Sequence, residues 1–82
     1  MTLAENLVLT ETDYGIVLLD VVRGTYWDLN PSGALILRTL LDGGAEPVAA
    51  RALAGEYEVD LDTAAADVTA LVAELRATGI LR

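Results

Sequence analysis

Chemistry in this chain of 82 residues would have to come from hydroxyls and carboxylates, because histidine and cysteine are both absent. That removes the usual general base, the thiol nucleophile and most transition-metal ligands together. Ser32 is the lone serine, and no histidine or lysine exists to activate it as a nucleophile. It follows Asn30-Pro31, where a capping or turn role is the simpler reading. Gly43-Gly44 has no Lys or Ser/Thr after it at the spacing of a phosphate loop. Glu56, Glu58, Asp60 and Asp62 bring four carboxylates close in sequence, but the calcium-loop pattern of spaced acids, a glycine and a closing Glu is missing. A solvated linker ending in a helix cap explains them better. No catalytic residue, resident metal or cofactor is therefore expected, and the chain does not read as an enzyme.

Two further sets suit binding rather than catalysis. Asp67 and Glu74 stand seven residues apart, which puts both on one face of a helix. That face is either plain solvent surface or an acidic rail beside a groove, matched to a basic side chain of a bound peptide. Tyr26 and Trp27 are adjacent in a β segment, so they point to opposite faces and cannot both enter a one-sided core. One of them should stay partly exposed, and aromatic anchors dominate interface energetics.

The elements that must position these residues follow from periodicity. Residues 7–10 and 15–21 are rich in Val, Ile and Leu and read as strands, with turn chemistry in Thr12-Asp13-Tyr14-Gly15 between them. A turn at Val22-Arg23-Gly24 leads to a third strand over 25–29. Short connections imply an antiparallel meander with the first and third strands at its edges. In the third strand Thr25, Trp27 and Leu29 share one face, expected to be the core face, against Tyr26 and Asp28. Asn30 is a favoured N-cap and Pro31 suits the first helical position, so the strand runs into helix one without a loop. Such a joint fixes strand against helix and leaves the strand's other edge available to a peptide.

Helix one is expected over about 31–41, with Leu37, Leu40, Leu41 and Ala34 or Ile36 inward, ending at Asp42-Gly43-Gly44. Helix two is expected over about 46–57, with Val48, Ala52 and Leu53 inward and a frayed end near Gly55. Helix three begins at a cap on Asp60 or Asp62 and repeats Ala64, Val68, Leu71, Val72 and Leu75 along one side. Gly79 stops it, and Ile80-Leu81 is expected to fold back as an apolar tail; no disordered tail is expected beyond the first few residues. Three strands followed by three helices make a small α+β fold, read as one domain over residues 1–82.

Composition narrows the partners. The chain carries 13 acidic and 5 basic residues, all arginine, for a net charge of −8. A phosphate-binding surface needs clustered Arg or Lys, so nucleic acid is disfavoured. The longest apolar run, Ile16 to Leu19, falls far short of the ~20 residues of a spanning helix, and no signal peptide is apparent. A cytoplasmic location without membrane contact is the default, with no cysteine to form a disulfide. Hydrophobic residues make up 54% of the chain, so either some apolar surface stays exposed as an interaction patch or Ala and Leu simply fill three helices, and composition alone does not choose between the two.

Three stretches also resemble a known family. Gly15-Ile16-Val17-Leu18-Leu19-Asp20, the run from Arg23 to Gly33 (Arg-Gly-Thr-Tyr-Trp-Asp-Leu-Asn-Pro-Ser-Gly), and Leu40-Leu41-Asp42-Gly43-Gly44 are similar to the PqqD family. These are recognition elements for ribosomally made, modified peptides, and the chain is most similar to the stand-alone group (B1 type) of lasso-peptide biosynthesis in actinobacteria. The resemblance reaches Ala66-Asp67-Val68 and Leu75 to Leu81 at the C-terminal end. It implies a winged helix-turn-helix-like arrangement, with the sheet as the wing. It further implies that the leader region of a precursor peptide binds as an added strand, a mode known as β-augmentation. The strand edge would be Thr25, Tyr26, Trp27, Asp28 and Leu29, and the facing wall Ala64, Asp67, Val68, Leu71, Val72 and Leu75 of helix three. Partners implied are the precursor leader peptide, a leader peptidase (a cysteine protease on a separate chain) and an ATP-dependent macrocyclase. Alternatives are a PqqD-like peptide chaperone of another pathway, such as a quinone-cofactor precursor handed to a radical enzyme, or a self-associating assembly subunit. A winged-helix DNA-binding module is opposed by the acids of helix three.

Overall fold

A computed structural model describes all residues, 1–82. Three strands, β1 (Leu7–Thr12), β2 (Gly15–Asp20) and β3 (Tyr26–Leu29), form an antiparallel sheet in that order. Helices α1 (Pro31–Leu41), α2 (Glu46–Tyr57) and α3 (Leu61–Ala77) follow, giving the α+β meander-then-helices fold.

The sheet register aligns Leu9, Leu18 and Trp27 in one row and Glu11, Ile16 and Leu29 in the next. Leu18 and Ile16 are buried, and Trp27 and Leu29 pack half-buried against the same core. The expected phase holds for four residues of β3, with Trp27 and Leu29 turned inward and Tyr26 and Asp28 exposed, but Thr25, also expected on the core face, lies before the strand and is exposed. Gly15 makes the tight entry into β2 possible. Its φ is +146°, and a Cβ there would sit 1.9 Å from the Leu29 carbonyl oxygen.

Asp20 fixes the β2–β3 turn. Its carboxylate accepts from the backbone N–H groups of Val22 and Arg23, each at 3.0 Å. The Arg23 N–H chiefly, then the Asn6 side chain, hold this carboxyl below its ordinary pKa. The carboxylate thus does in one residue what a backbone turn would otherwise need several groups to do.

Each helix starts on a side-chain cap or a proline. The Asn30 side chain accepts from Gly33 N–H at 2.9 Å, with Pro31 behind it at the first helical position. The Asp60 carboxylate, not Asp62, caps α3 by accepting from the N–H groups of Asp62 and Thr63. α2 buries Ala49, Ala50 and Leu53, whereas Val48 stays exposed. This shifts the expected inward face of Val48 and Ala52 by about one residue. Small alanines let the helices approach closely, and side-chain hydropathy does not report that. α2 also continues through Gly55 to Tyr57 and turns off at Glu58, which adopts a left-handed φ of +52°.

Ile80 and Leu81 fold back into the core as expected. They also tie down the N-terminus: Ala4 N–H donates to the Ile80 carbonyl at 3.0 Å and Arg82 N–H to the Thr2 carbonyl at 2.9 Å. The first residues are thus held by the last. No helix is long and apolar enough to cross a membrane.

Candidate functional site

Backbone hydrogen bonding decides what each sheet edge offers. Asp20 N–H donates to the Thr25 carbonyl at 2.8 Å. Pairs that exchange bonds alternate along an antiparallel ladder, so Thr25, Trp27 and Leu29 turn their backbone groups toward β2. The N–H and C=O groups of Tyr26 and Asp28 consequently face the free edge. By the same logic, the Val21 N–H to Asn6 carbonyl bond at 3.0 Å sets β1, whose free-edge groups belong to Leu9 and Glu11.

Beside the β3 edge lies a trough of about 270 Å³, bordered on one side by Trp27, Asp28 and Leu29 and on the other by Leu71, Glu74, Leu75 and Thr78. Its ends open into two neighbours. A hollow of about 380 Å³ shares Asn30, Gly33 and Leu71 with it and adds Asp67 and Tyr57. A small polar hollow of about 110 Å³ shares Trp27, Thr78 and Ile80 and adds Asn6, Asp20 and Arg23. The three form one continuous channel along β3 and α3. A larger hollow of about 420 Å³, between the starts of α2 and α3, has no strand edge beside it.

α3 carries two stripes at helical spacing. Ala64, Val68, Val72 and Leu75 are buried and make the core side. Asp67, Leu71, Glu74 and Thr78 recur at i, i+4, i+7 and i+11 and line the channel. Of the expected wall residues, the structure therefore brings Asp67, Leu71 and Leu75 to the site. Ala64, Val68 and Val72 sit in the core and border none of the channel's hollows, because they fall on the stripe turned toward α2 and the core. On the strand side, Trp27, Asp28 and Leu29 line the trough directly. Tyr26 contributes its backbone edge while its ring lies exposed on the outer face, and Thr25 precedes the strand with its carbonyl already bonded to Asp20.

The sequence reading left several lining residues unassigned: Asn30 and Gly33 from the α1 cap, Tyr57 and Val59 from the end of α2, and Thr78 and Ile80 beyond Leu75. The cap motif signals the first pair, since a cap seated at the end of an edge strand must border whatever lies along that edge. The others come from helix ends and the tail, which periodicity does not place. The floor is apolar and the rim carries carboxylates, with no nucleophile–base pair along it. An apolar floor with a polar rim suits an extended chain with alternating side chains.

Comparisons with known proteins agree with that geometry. The chain matches the family described as coenzyme PQQ synthesis protein D (PqqD) over residues 15–81. Among solved structures it is similar to "Lasso peptide synthetase B1 complexed with the leader peptide", at 42% identity over 99% of this chain and 95% of that one, TM-score 0.91. It is also similar to "TbiB1 in Complex with the TbiA(beta) Leader Peptide", at 28% identity over 100% of this chain and 95% of that one, TM-score 0.89. No curated protein matches it. With the family match spanning β2 through the C-terminal tail, and so every element that lines the trough between β3 and α3, the chain belongs to the PqqD family.

Proposed function

We propose that this protein is a non-catalytic recognition element that binds the leader region of a lasso-type precursor peptide. The leader adds as a fourth strand to the β3 edge, opposite α3. The observation that carries this reading is the juxtaposition of unpaired backbone groups on Tyr26 and Asp28 with an apolar-floored trough. Backbone bonds to that edge give register and affinity, and pockets for alternate side chains give specificity. The leader would contact Trp27, Leu29, Leu71 and Leu75 on the floor and Asp28 and Asp67 on the rim, while Ala64, Val68 and Val72 support the wall from behind.

The role is delivery. The bound leader is presented to a leader peptidase on a separate chain and the core peptide then passes to an ATP-dependent macrocyclase. The family description favours a second pathway, a precursor of coenzyme PQQ passed to a different enzyme. The greater weight lies with the lasso reading, supported by 42% identity along almost the whole chain to a lasso synthetase B1 protein.

Calorimetric titration with a synthetic leader from the precursor encoded beside this protein tests the reading. Saturable binding of one peptide per protein, lost with a scrambled sequence, is the expected result. A flat titration with that leader would overturn the lasso assignment, and tight binding of a quinone-precursor peptide in its place would establish the second pathway.

A further inference from the structure

The trough and the hollow beside Asp67 are charged on one sign only. Asp28 and Glu74 border the trough and Asp67 borders the adjoining hollow, and no cation lines either of these two spaces. Neither ion pair of the protein involves these acids: Arg38 pairs with Glu11 and Arg82 with Glu5. Arg51 lines a different hollow, between α2 and α3. Arg76 lies about half a turn round α3 from the Asp67–Leu71–Glu74 stripe. Arg23 reaches only the small polar end of the channel. An apolar floor between unpaired carboxylates asks its ligand for an apolar side chain flanked by positive charge.

Spacing makes the requirement specific. At about 1.5 Å rise per residue, Asp67 lies about 6 Å to one side of Leu71 along α3 and Glu74 about 4.5 Å to the other. In an extended peptide, side chains on one face repeat every ~6.7 Å, two residues apart. A residue seated over Leu71 therefore places its i−2 and i+2 neighbours beside the two carboxylates. Lysine or arginine fits there, laying its methylenes along the apolar floor while its head reaches the rim. The pattern is symmetric, so it holds for either direction of the added strand.

Resting on the leader-binding reading, we propose that this protein selects leaders bearing a Lys or Arg two positions from the apolar residue that seats on Leu71, with Asp67 and Glu74 as the specificity-determining carboxylates. Selection against acidic residues at those positions follows from the same field, since like charges in a shared groove repel.

The test uses the full-length protein and a fluorescein-labelled synthetic leader from the neighbouring precursor gene, read by polarisation at low and high salt. Asp67→Asn and Glu74→Gln should each weaken binding about two- to fivefold at low salt, the range of partly exposed ion pairs. The loss should fade in high salt as screening shortens the reach of the charges. Glu56→Gln removes the same charge from the exposed end of α2, outside the channel, and should leave affinity within about twofold. The decisive arm is a swap: Glu74→Lys should weaken the natural leader and regain affinity for a leader whose matching Lys or Arg is changed to Glu. Circular dichroism checks the expectation that these exposed substitutions keep the fold. Wild-type binding with no effect of the two carboxylate variants and no rescue by the swap overturns the charge rule and leaves leader binding standing. Absence of wild-type binding removes the leader reading and the charge rule with it.

Discussion

The two edges of the sheet are chemically alike and functionally different. Each presents unpaired backbone groups, Tyr26 and Asp28 on β3 and Leu9 and Glu11 on β1. Beyond β3 stands α3, with a trough between that an incoming strand would fill. Along β1 there is no facing wall of this kind, and neither Leu9 nor Glu11 borders a hollow. Glu11 is instead held in an ion pair with Arg38 of α1, and charges on an edge discourage strand pairing. An open edge alone is thus a hazard, and the opposing helix turns one of the two into a site.

Proline substitutions break this comparison most sharply. Asp28→Pro removes an N–H that faces the free edge and is not used in the β2 ladder, so the fold should survive. Leader affinity should fall by about tenfold to a hundredfold, because a peptide carbonyl is left unpaired in the trough. Glu11→Pro does the same to β1 and should leave affinity unchanged. Equal losses from both would mean that binding is not edge-specific. Calorimetry with the same leader reads both variants.

The next largest effect separates the two stripes of α3. Leu71→Glu places a charge where the peptide's apolar residue seats and should weaken binding by about tenfold or more, with the helical circular dichroism retained. Val68→Ala, one helical turn away but fully buried, should lower the melting temperature and leave the affinity of the folded protein unchanged. Loss of fold in Leu71→Glu would move Leu71 from the site to the core.

These stripes also mark where the sequence stops being legible. Ala64, Val68, Leu71, Val72 and Leu75 are all apolar and all fall on one side of a helix, so periodicity reads them as a single face. Only the approach of α2 on one flank and the open channel on the other divides them. The β3 phase was legible for Trp27 and Leu29 because alternation puts them on one face and Leu29 enters the core next to Asn30-Pro31, but not for Thr25, which precedes the strand and is exposed. The cap residue Asn30 was legible because capping chemistry is local, and the same chemistry narrowed the α3 cap to Asp60 or Asp62, between which the structure decides. The burial of Ala49 and Ala50 was not, since alanine looks the same on either side of α2 and helix proximity decides.

Asp20 gives a smaller, pH-dependent effect. Its folded pKa lies below the ordinary carboxylate value, so its contribution to stability is present at neutral pH. That contribution is lost as pH falls below about 4 and through the folded pKa. Asp20→Asn should melt lower than wild type at pH 7, and the gap should close in acid. A gap that widens in acid would show that the carboxylate does not anchor the β2–β3 turn. The smallest effect belongs to Tyr26→Ala: its ring lies on the outer face, so leader affinity should stay within about twofold. A larger loss would place the ring in the site.

Amide hydrogen exchange by NMR tests strand addition most directly, comparing the free protein with the leader-saturated one. The N–H groups of Tyr26 and Asp28 should become protected on binding, while those of Leu9 and Glu11 exchange as before. Saturated binding without protection at Tyr26 and Asp28, or with protection at Leu9 and Glu11, would contradict addition of the leader to β3.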